Sequence, residues 1–454
     1  MFQHKSKASL LVCLALSLIL FGLAGLRAQP SRAGGAFIVD TEDDPGIFGD
    51  QHLSLREAMF VADGNYDWRC AWSDEEQDLL IGCNFDESRC ITGGCGAGYF
   101  DNIIFGYAVH QIYPYTALPT LTDAGTFIDG LHSGTKVVIN GAYLSSSVYP
   151  VIRIEGADVT IANLAFINGI VVDILVWWTA QDARIAYNHL GVLPGATSCT
   201  PPGVTRNSSR GVWVRGSGTA PITDRVFIYG NVIGCHSGDG IQTDGADNMF
   251  IGYQPDKATA DGNWIGLNPA GVSLPNGGRG VSIWGISLDN VDFNAVGNNT
   301  IANNLGAGVT VEEAAYGTFI RYNQIYGNGG LPIDLGNDGF TPNDPGDGDS
   351  GPNHLINYPD VTFTYGSYVQ GTTCPLCKVD IYQAIGDPSK PAGGGIYKGS
   401  VNADLYGDWN VDLSTLPGMS GATIYDISLV TYSLYSGSSE MRPRPILYLP
   451  VIIK

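Results

Sequence analysis

The sequence is poor in positive charge. Only 23 lysines and arginines stand against 44 aspartates and glutamates, a net charge of −21 over 454 residues. So acidic a surface repels phosphate backbones and anionic lipid, which excludes nucleic acid as a natural partner and favours solubility and attraction of cations. Histidine is scarce too, and none of the 7 sits at a metal-ligand spacing. No nucleophile elbow, phosphate loop or dinucleotide-binding motif occurs. Beyond the N-terminal region there is no long amphipathic helical pattern, and no apolar run after residue 26 approaches a membrane span.

What is present first is an export signal. Lys5 and Lys7 precede an uncharged run over residues 8–26, and small residues at Gly22–Ala24 and Ala28 offer cleavage sites. The run is just long enough to span a bilayer. However, Ser9, Ser17, Gly22 and Gly25 dilute it and no stop-transfer charges follow, so residues 1–28 are expected to be a cleaved signal peptide. Loss of Lys5, Lys7 and Arg27 leaves 20 basic residues against 44 acidic ones, a net of −24. The expected destination is secretion or the cell surface.

Eight of the nine cysteines survive that cleavage, and an even count in an exported chain argues for disulfides. Cys70, Cys83, Cys90 and Cys95 form a local cluster with three possible pairings. Cys199 with Cys235 and Cys374 with Cys377 complete the set. A zinc site is excluded in the cluster by its lack of a paired CxxC. Cys374-Pro-Leu-Cys377 runs into an alternating strand pattern rather than a helix, so a structural bridge is expected there and not a redox site.

Glycine is abundant, at 61 residues, and short apolar alternations recur, each closed by Gly, Asn or Asp. Four segments share one template: Gly211-Val-Trp-Val-Arg215, Gly240-Ile-Gln-Thr-Asp244, Gly280-Val-Ser-Ile-Trp284 and Gly308-Val-Thr-Val-Glu312. Asn231, Asn263, Asn299 and Asn323 open a second column between them. The template glycines are spaced 29, 40 and 28 residues apart, and the extra length falls in the polar stretch before Gly262. A short coil with loop-only insertions predicts a parallel β-helix solenoid, in which stacked rungs bury one apolar column and stacked asparagines bond from rung to rung. A sandwich would not produce two registered columns, and a propeller would keep a more regular period. The predicted fold is therefore all-β, a right-handed parallel β-helix with a short N-terminal capping helix and a small C-terminal β-sandwich.

The capping helix is predicted at Ser54-Leu-Arg-Glu-Ala58, where Ser54 and Glu57 have capping-box spacing. Expected units are an N-terminal cap with a Cys-rich insertion (36–98), the β-helix (99–357), a separate β-domain (358–441), and a linker with an apolar tail (442–454). In the β-domain, Val361–Gln370, Lys378–Gln383, Asn410–Leu413 and Tyr425–Ser433 alternate like strands.

Phe37-Ile-Val-Asp40 together with Leu53-Ser-Leu-Arg-Glu-Ala58 resembles the N-terminal signature of exported CSLREA-domain proteins, bacterial β-helix proteins similar to pectate-lyase-like ones. Ile333–Asp349 through Pro359 resembles the loop that closes the β-helix in that group, and Cys377–Tyr382 with Gly407-Asp-Trp-Asn410 is similar to its Ig-like domain. The resemblance implies a right-handed β-helix followed by an Ig-like domain (358–441) and implies no particular activity. It departs at Leu53, where the family's signature has cysteine.

Candidate chemistry lies in the template. Its second and fourth positions point inward, so the third and fifth point outward. One outer column is then Trp213, Gln242, Ser282 and Thr310, and the next is Arg215, Asp244, Trp284 and Glu312. Trp213, Gln242, Asp244, Trp284 and Glu312 combine aromatic faces with hydrogen-bonding groups, the chemistry that recognises sugars. An ordinary solvated sheet face would satisfy the same pattern. The expected function is a non-catalytic exported surface or extracellular protein, with the solenoid as a stalk or as a face contacting polysaccharide or cell-surface glycan. The alternative is a polysaccharide lyase or an inverting glycoside hydrolase, with Asp244 and Glu312 as its carboxylates two rungs apart, ~10 Å. Ser237-Gly-Asp-Gly240 carries one Asp where a galacturonan hydrolase pattern has two, and reads as a turn. Asp334, Asp338, Asp344, Asp347 and Asp349 crowd one stretch and are candidate Ca²⁺ ligands. Trp177 and Trp178, being adjacent, are expected to face opposite sides, one of them into the core.

Overall fold

The computed structural model describes residues 33–44, 49–64, 72–144, 150–200, 207–216, 225–254, 261–285, 294–385, 394–434 and 436–441. The expected signal peptide, Cys70 and the 442–454 tail lie outside these residues.

The chain winds as a right-handed parallel β-helix. A rung is three short strands: Thr160–Ala162, Ala165–Ile167 and Val172–Val176 make one, and Arg184–Ala186 starts the next. Through the coils each strand pairs in parallel with the equivalent strand a rung away, and with antiparallel strands added at the ends of two of them the sheets have ten, twelve and seven strands. The bore is filled by three apolar stacks, aliphatic but for Phe166. Ile161, Ile185, Ile228, Ile251, Val296 and Ile320 are register partners in the first sheet. Phe166, Leu190, Ile233, Ile265, Ile301 and Ile325 are partners in the second. Ile174, Val212, Ile241, Val281, Val309 and Ile333 are partners in the third. All are buried. Branched side chains suit this role because they pack well on a pleated surface, and each buried one contributes about 1.5–3 kcal/mol.

A short chain segment can turn between sheets only if its backbone polar groups find partners. Asparagine supplies them. The Oδ1 of Asn231 accepts from the backbone N–H of Asn188, Asn263 from Asn231, Asn299 from Asn263, and Asn323 from Asn299, at 2.8–3.0 Å. The amide nitrogens of the same side chains donate to the next Oδ1 and to backbone carbonyls. All five are buried. A second ladder at the next corner runs His236, Asn276, Asn304, Asn328. His236 is enclosed, with Nδ1 2.9 Å from Asn276 Oδ1 and Nε2 3.0 Å from Asp173, which also accepts from Ser208.

The helix Leu55–Ala62 forms as predicted, with Ser54 and Glu57 making both halves of the capping box. Leu53, Leu55, Ala58 and Met59 merge with the solenoid core. Arg56 holds the cap to the first coils: it pairs with Asp44 at 2.6 Å and donates to the carbonyls of Thr116 and Ala117. Leu53, where the resembling family has cysteine, is simply core. A second short helix, Asp74–Leu79, was not expected, although Ser73 and Glu76 have the same capping spacing. The strand Ala33–Val39, placed in the cap by sequence, is an integral member of the ten-stranded sheet.

The C-terminal strands form two antiparallel sheets around a core of their own, including Val379, Ile381, Trp409, Val411 and Leu429. They are not freestanding, which corrects the expectation of a separate domain. Gly395–Asn402 pairs antiparallel with the solenoid strand Gln324–Tyr326, so the twelve-stranded sheet runs through both parts. The run Val361–Gln370 is also corrected: it is a hairpin of Asp360–Tyr365 and Tyr368–Thr372, turning at Gly366 with φ 58°. Three disulfides are seen among the described residues, Cys83–Cys95, Cys199–Cys235 and Cys374–Cys377, and Cys90 is also disulfide-bonded.

Candidate functional site

The four template segments stack in the expected register. Trp213 pairs with Gln242, Gln242 with Ser282 and Ser282 with Thr310, while Arg215, Asp244, Trp284 and Glu312 form the adjacent column. Val281 and Ile283 are fully buried and Trp284 is half-exposed on the opposite face. Asp244 and Glu312 are two rungs apart.

The face is not evenly solvated. Ser282 and Thr310 are fully buried, and Gln242 and Glu312 are 8% and 6% exposed, whereas Trp213, Asp244 and Trp284 are half-exposed and Arg215 is exposed. Two hydrogen-bonded groups account for this. Around Asp244, both carboxylate oxygens are engaged: Oδ2 accepts from Trp213 Nε1 and Oδ1 from Gln242 Nε2, each at 2.7 Å, and Gln242 in turn bonds Arg210. Around Glu312, one oxygen accepts from Arg279, Ser282 and Thr310, and Ser282 accepts from Trp284 Nε1 at 2.8 Å. Arg279 also forks onto Asp239, at 2.8 and 3.1 Å. Burial by itself would depress the Arg279 pKa, but bonds and charge from Asp239 and then Glu312 raise it, so this guanidinium stays charged.

Cations take up the aromatic faces. Arg210 and Arg215 lie 4.6 and 4.8 Å from the Trp213 ring centre, and Arg153 and Arg215 lie 4.4 and 5.0 Å from that of Trp177. Trp284 carries no such cation among the described residues. Trp177 and Trp178 correct the expectation that one of them is core: Trp177 is half-buried and Trp178 47% exposed. They follow the strand Val172–Val176 in a turn, where strand alternation no longer applies. Arg279 and Asp239 were missed as members of the face. A signal existed, because Arg210, Asp239 and Arg279 each precede a template glycine.

The acidic stretch divides in two. Asp344, Asp347 and Asp349 each place a carboxylate oxygen within 4.8 Å of the others. Asp344 Oδ1 and Asp349 Oδ1 are enclosed without a hydrogen-bond partner, and Asp344 and Asp347 line a 440 Å³ cavity together with Asn357 and Tyr358. Asp334 and Asp338 lie instead beside Glu440, whose carboxylate accepts from the backbone of Leu335 and Thr341. Burial, with Asp334 and Asp338 adding to it, pushes the Glu440 pKa up to about 7. The five aspartates are therefore not one site.

No protein-family model matches the chain, and no curated protein sequence is similar to it. Among solved structures, the chain is similar to the periplasmic alginate epimerase AlgG at 13% identity, with a TM-score of 0.27 over 60% of this chain and 56% of that one. It is similar to the Dettilon tailspike protein at 15% identity and TM-score 0.34, over 79% and 69%. A protein of Geobacillus virus E2 gives 13% and 0.31, over 81% and 74%. The chain thus spans just over half the length of the epimerase. These likenesses reach no further than the fold, which rests on its own strand pairing.

Proposed function

We propose that the protein is exported and non-catalytic, and that it contacts polysaccharide or cell-surface glycan through the outer face of the seven-stranded sheet. The observation that carries the reading is the in-register placing of Trp213, Asp244 and Trp284, all half-exposed, on one rigid face. Sugars stack their apolar faces on indole rings, and Trp284 presents one with no cation over it among the described residues. Disulfides agree with an oxidising compartment. The alternative, an inverting hydrolase, asks for one carboxylic acid and one free carboxylate base. Asp244 and Glu312 are instead both committed to internal donors, which favours binding over catalysis. A glycan array tests the proposal. Trp284→Ala should lower signal on any glycan hit at least tenfold while costing under about 1.5 kcal/mol of stability, the worth of one hydrogen bond and a half-exposed ring. An unchanged glycan profile would overturn it.

We also propose Ca²⁺ as a structural ligand of Asp344, Asp347 and Asp349. Three carboxylates this close repel one another, and Ca²⁺ takes six to eight oxygens in flexible geometry. Millimolar Ca²⁺ should raise the thermal midpoint relative to chelator by binding only the folded state. Asp347→Asn should abolish the rise and Asp338→Asn should leave it; a rise untouched by Asp347→Asn counts against the site.

A further inference from the structure

The corner between the ten- and twelve-stranded sheets carries a second site, separate from the seven-stranded face. A 440 Å³ cavity opens there, lined by Lys136, Tyr187, His189, Asp261, Trp264 and Pro269. Its floor is a register column: His189 pairs with Val232 and Val232 with Trp264. One wall is braced, because Val232, Trp264, Val272 and Leu274 pack with the Cys199–Cys235 bridge.

Tyr187 is the costly member. It occupies the corner position just before a ladder asparagine, where the chain runs left-handed, and its φ is +56°. Equivalent corners use Asn163, Gly230 and Asn298, residue types that tolerate this conformation, and a second tyrosine, Tyr322, at φ +62°. A bulky aromatic there is strained by about 1–3 kcal/mol. The next rung accommodates the ring: a Cβ on Gly230 would lie 2.5 Å from Tyr187 Cδ1. Tyr187 separates two charges. Its carbonyl accepts from Lys136 Nζ, and its hydroxyl, a side-chain length away, donates to Asp261.

Lys136 is half-buried, an unusual cation in so acidic a chain. Its other bond is a long one to Asn163 Oδ1, at 3.4 Å, and it has no ion-pair partner among the described residues. Burial lowers its pKa, only partly offset by Asp129. Beside it, the His189 ring is mostly enclosed, with the Leu193 backbone as a hydrogen-bond neighbour. Burial, and then the Lys136 charge, pushes the His189 pKa down to about 4, so at neutral pH the imidazole is uncharged and can exchange hydrogen bonds with a hydroxyl.

We propose that this cavity binds one sugar unit bearing a carboxylate. The ring lies on Trp264, the carboxylate pairs with Lys136, and hydroxyls meet His189 and Asp261. Its size falls within the range of ordinary ligand pockets. The charged group belongs at the Lys136 end because Asp261, at the far end of Tyr187, would repel it and instead accepts hydroxyl hydrogens.

Isothermal titration of the full chain with sodium glucuronate, glucose and sodium sulfate tests the assignment. Glucuronate should bind, glucose and sulfate should each bind at least tenfold more weakly, and Lys136→Met and Trp264→Ala should each weaken glucuronate tenfold or more. Lys136→Arg, which keeps the charge, should restore part of the affinity if Lys136→Met loses its fold. Trp284→Ala should change nothing here, so failure of this site and failure of the seven-stranded face are distinguishable. Equal affinity for glucose and glucuronate, sulfate binding as tightly as glucuronate, or no heat with glucuronate at all would each overturn the proposal.

Discussion

Val281→Asp should destabilise the protein by more than about 4 kcal/mol, read as the loss of a cooperative urea transition near the wild-type midpoint. Val281 is fully buried, stacked between Ile241 and Val309 at the centre of the third aliphatic column. A carboxylate there would lie within the apolar stack, where the Val281, Ile241 and Val309 N–H groups already bond the carbonyls of Gly308, Gly280 and Pro332. It must either bury its charge or hold a proton against the solvent pH, and both are expensive. In a solenoid each rung depends on its neighbours, so the defect spreads to the coils on either side. Retention of more than half the wild-type stability would mean that position 281 does not face the bore.

Breaking the pair Arg321–Asp380 should cost 3–5 kcal/mol, the expected range for leaving one buried charge alone. Arg321 lies on the solenoid strand Phe319–Arg321 and Asp380 on the C-terminal strand Lys378–Ala384, and they join through two hydrogen bonds of 2.6 Å. Both are buried, and the guanidinium also lies 4.1 Å from the Tyr432 ring centre and 4.7 Å from that of Tyr322. Burial opposes its charge, yet the Asp380 carboxylate holds the Arg321 pKa above its ordinary value. Asp380→Leu alone therefore strands a guanidinium. The double change Arg321→Met with Asp380→Leu should recover most of the loss, since an apolar pair removes both desolvation costs. Chemical denaturation of the two singles and the double checks this. Singles costing under 1 kcal/mol would mean that the pair is hydrated and does not join the two parts.

The repeat was legible because the solenoid writes the same physics into every rung. A branched aliphatic must fill each inward position and an asparagine must satisfy each tight corner, so Val212, Ile241, Val281 and Val309 align without any structure. So do Asn231, Asn263, Asn299 and Asn323. Capping chemistry was equally local, which made the Ser54–Glu57 helix readable and leaves no good reason for missing Ser73–Glu76. What sequence could not show was pairing between distant segments. The continuation of a solenoid sheet through Gly395–Asn402 depends on where the last coil ends, and no local pattern encodes an antiparallel edge. The site was half legible for the same reason. Register placed Trp213, Asp244 and Trp284 on one face, but whether Asp244 and Glu312 were free depended on Arg279, Gln242 and Ser282, side chains brought in from other rungs. The corner cavity was invisible, since Lys136 and Asp261 meet only after several coils.

The register of the seven-stranded sheet underlies both the core and the proposed face, and engineered cross-linking tests it most directly. Ser282 and Thr310 are register partners on the outer side, within the backbone separation that a disulfide can span. Ser282→Cys with Thr310→Cys should therefore form a bridge detectable by peptide mass spectrometry. Ser282→Cys with Val309→Cys, or with Val311→Cys, should not, because those side chains enter the bore. A bridge in either slipped pair, with none between positions 282 and 310, would contradict the register and the face built on it.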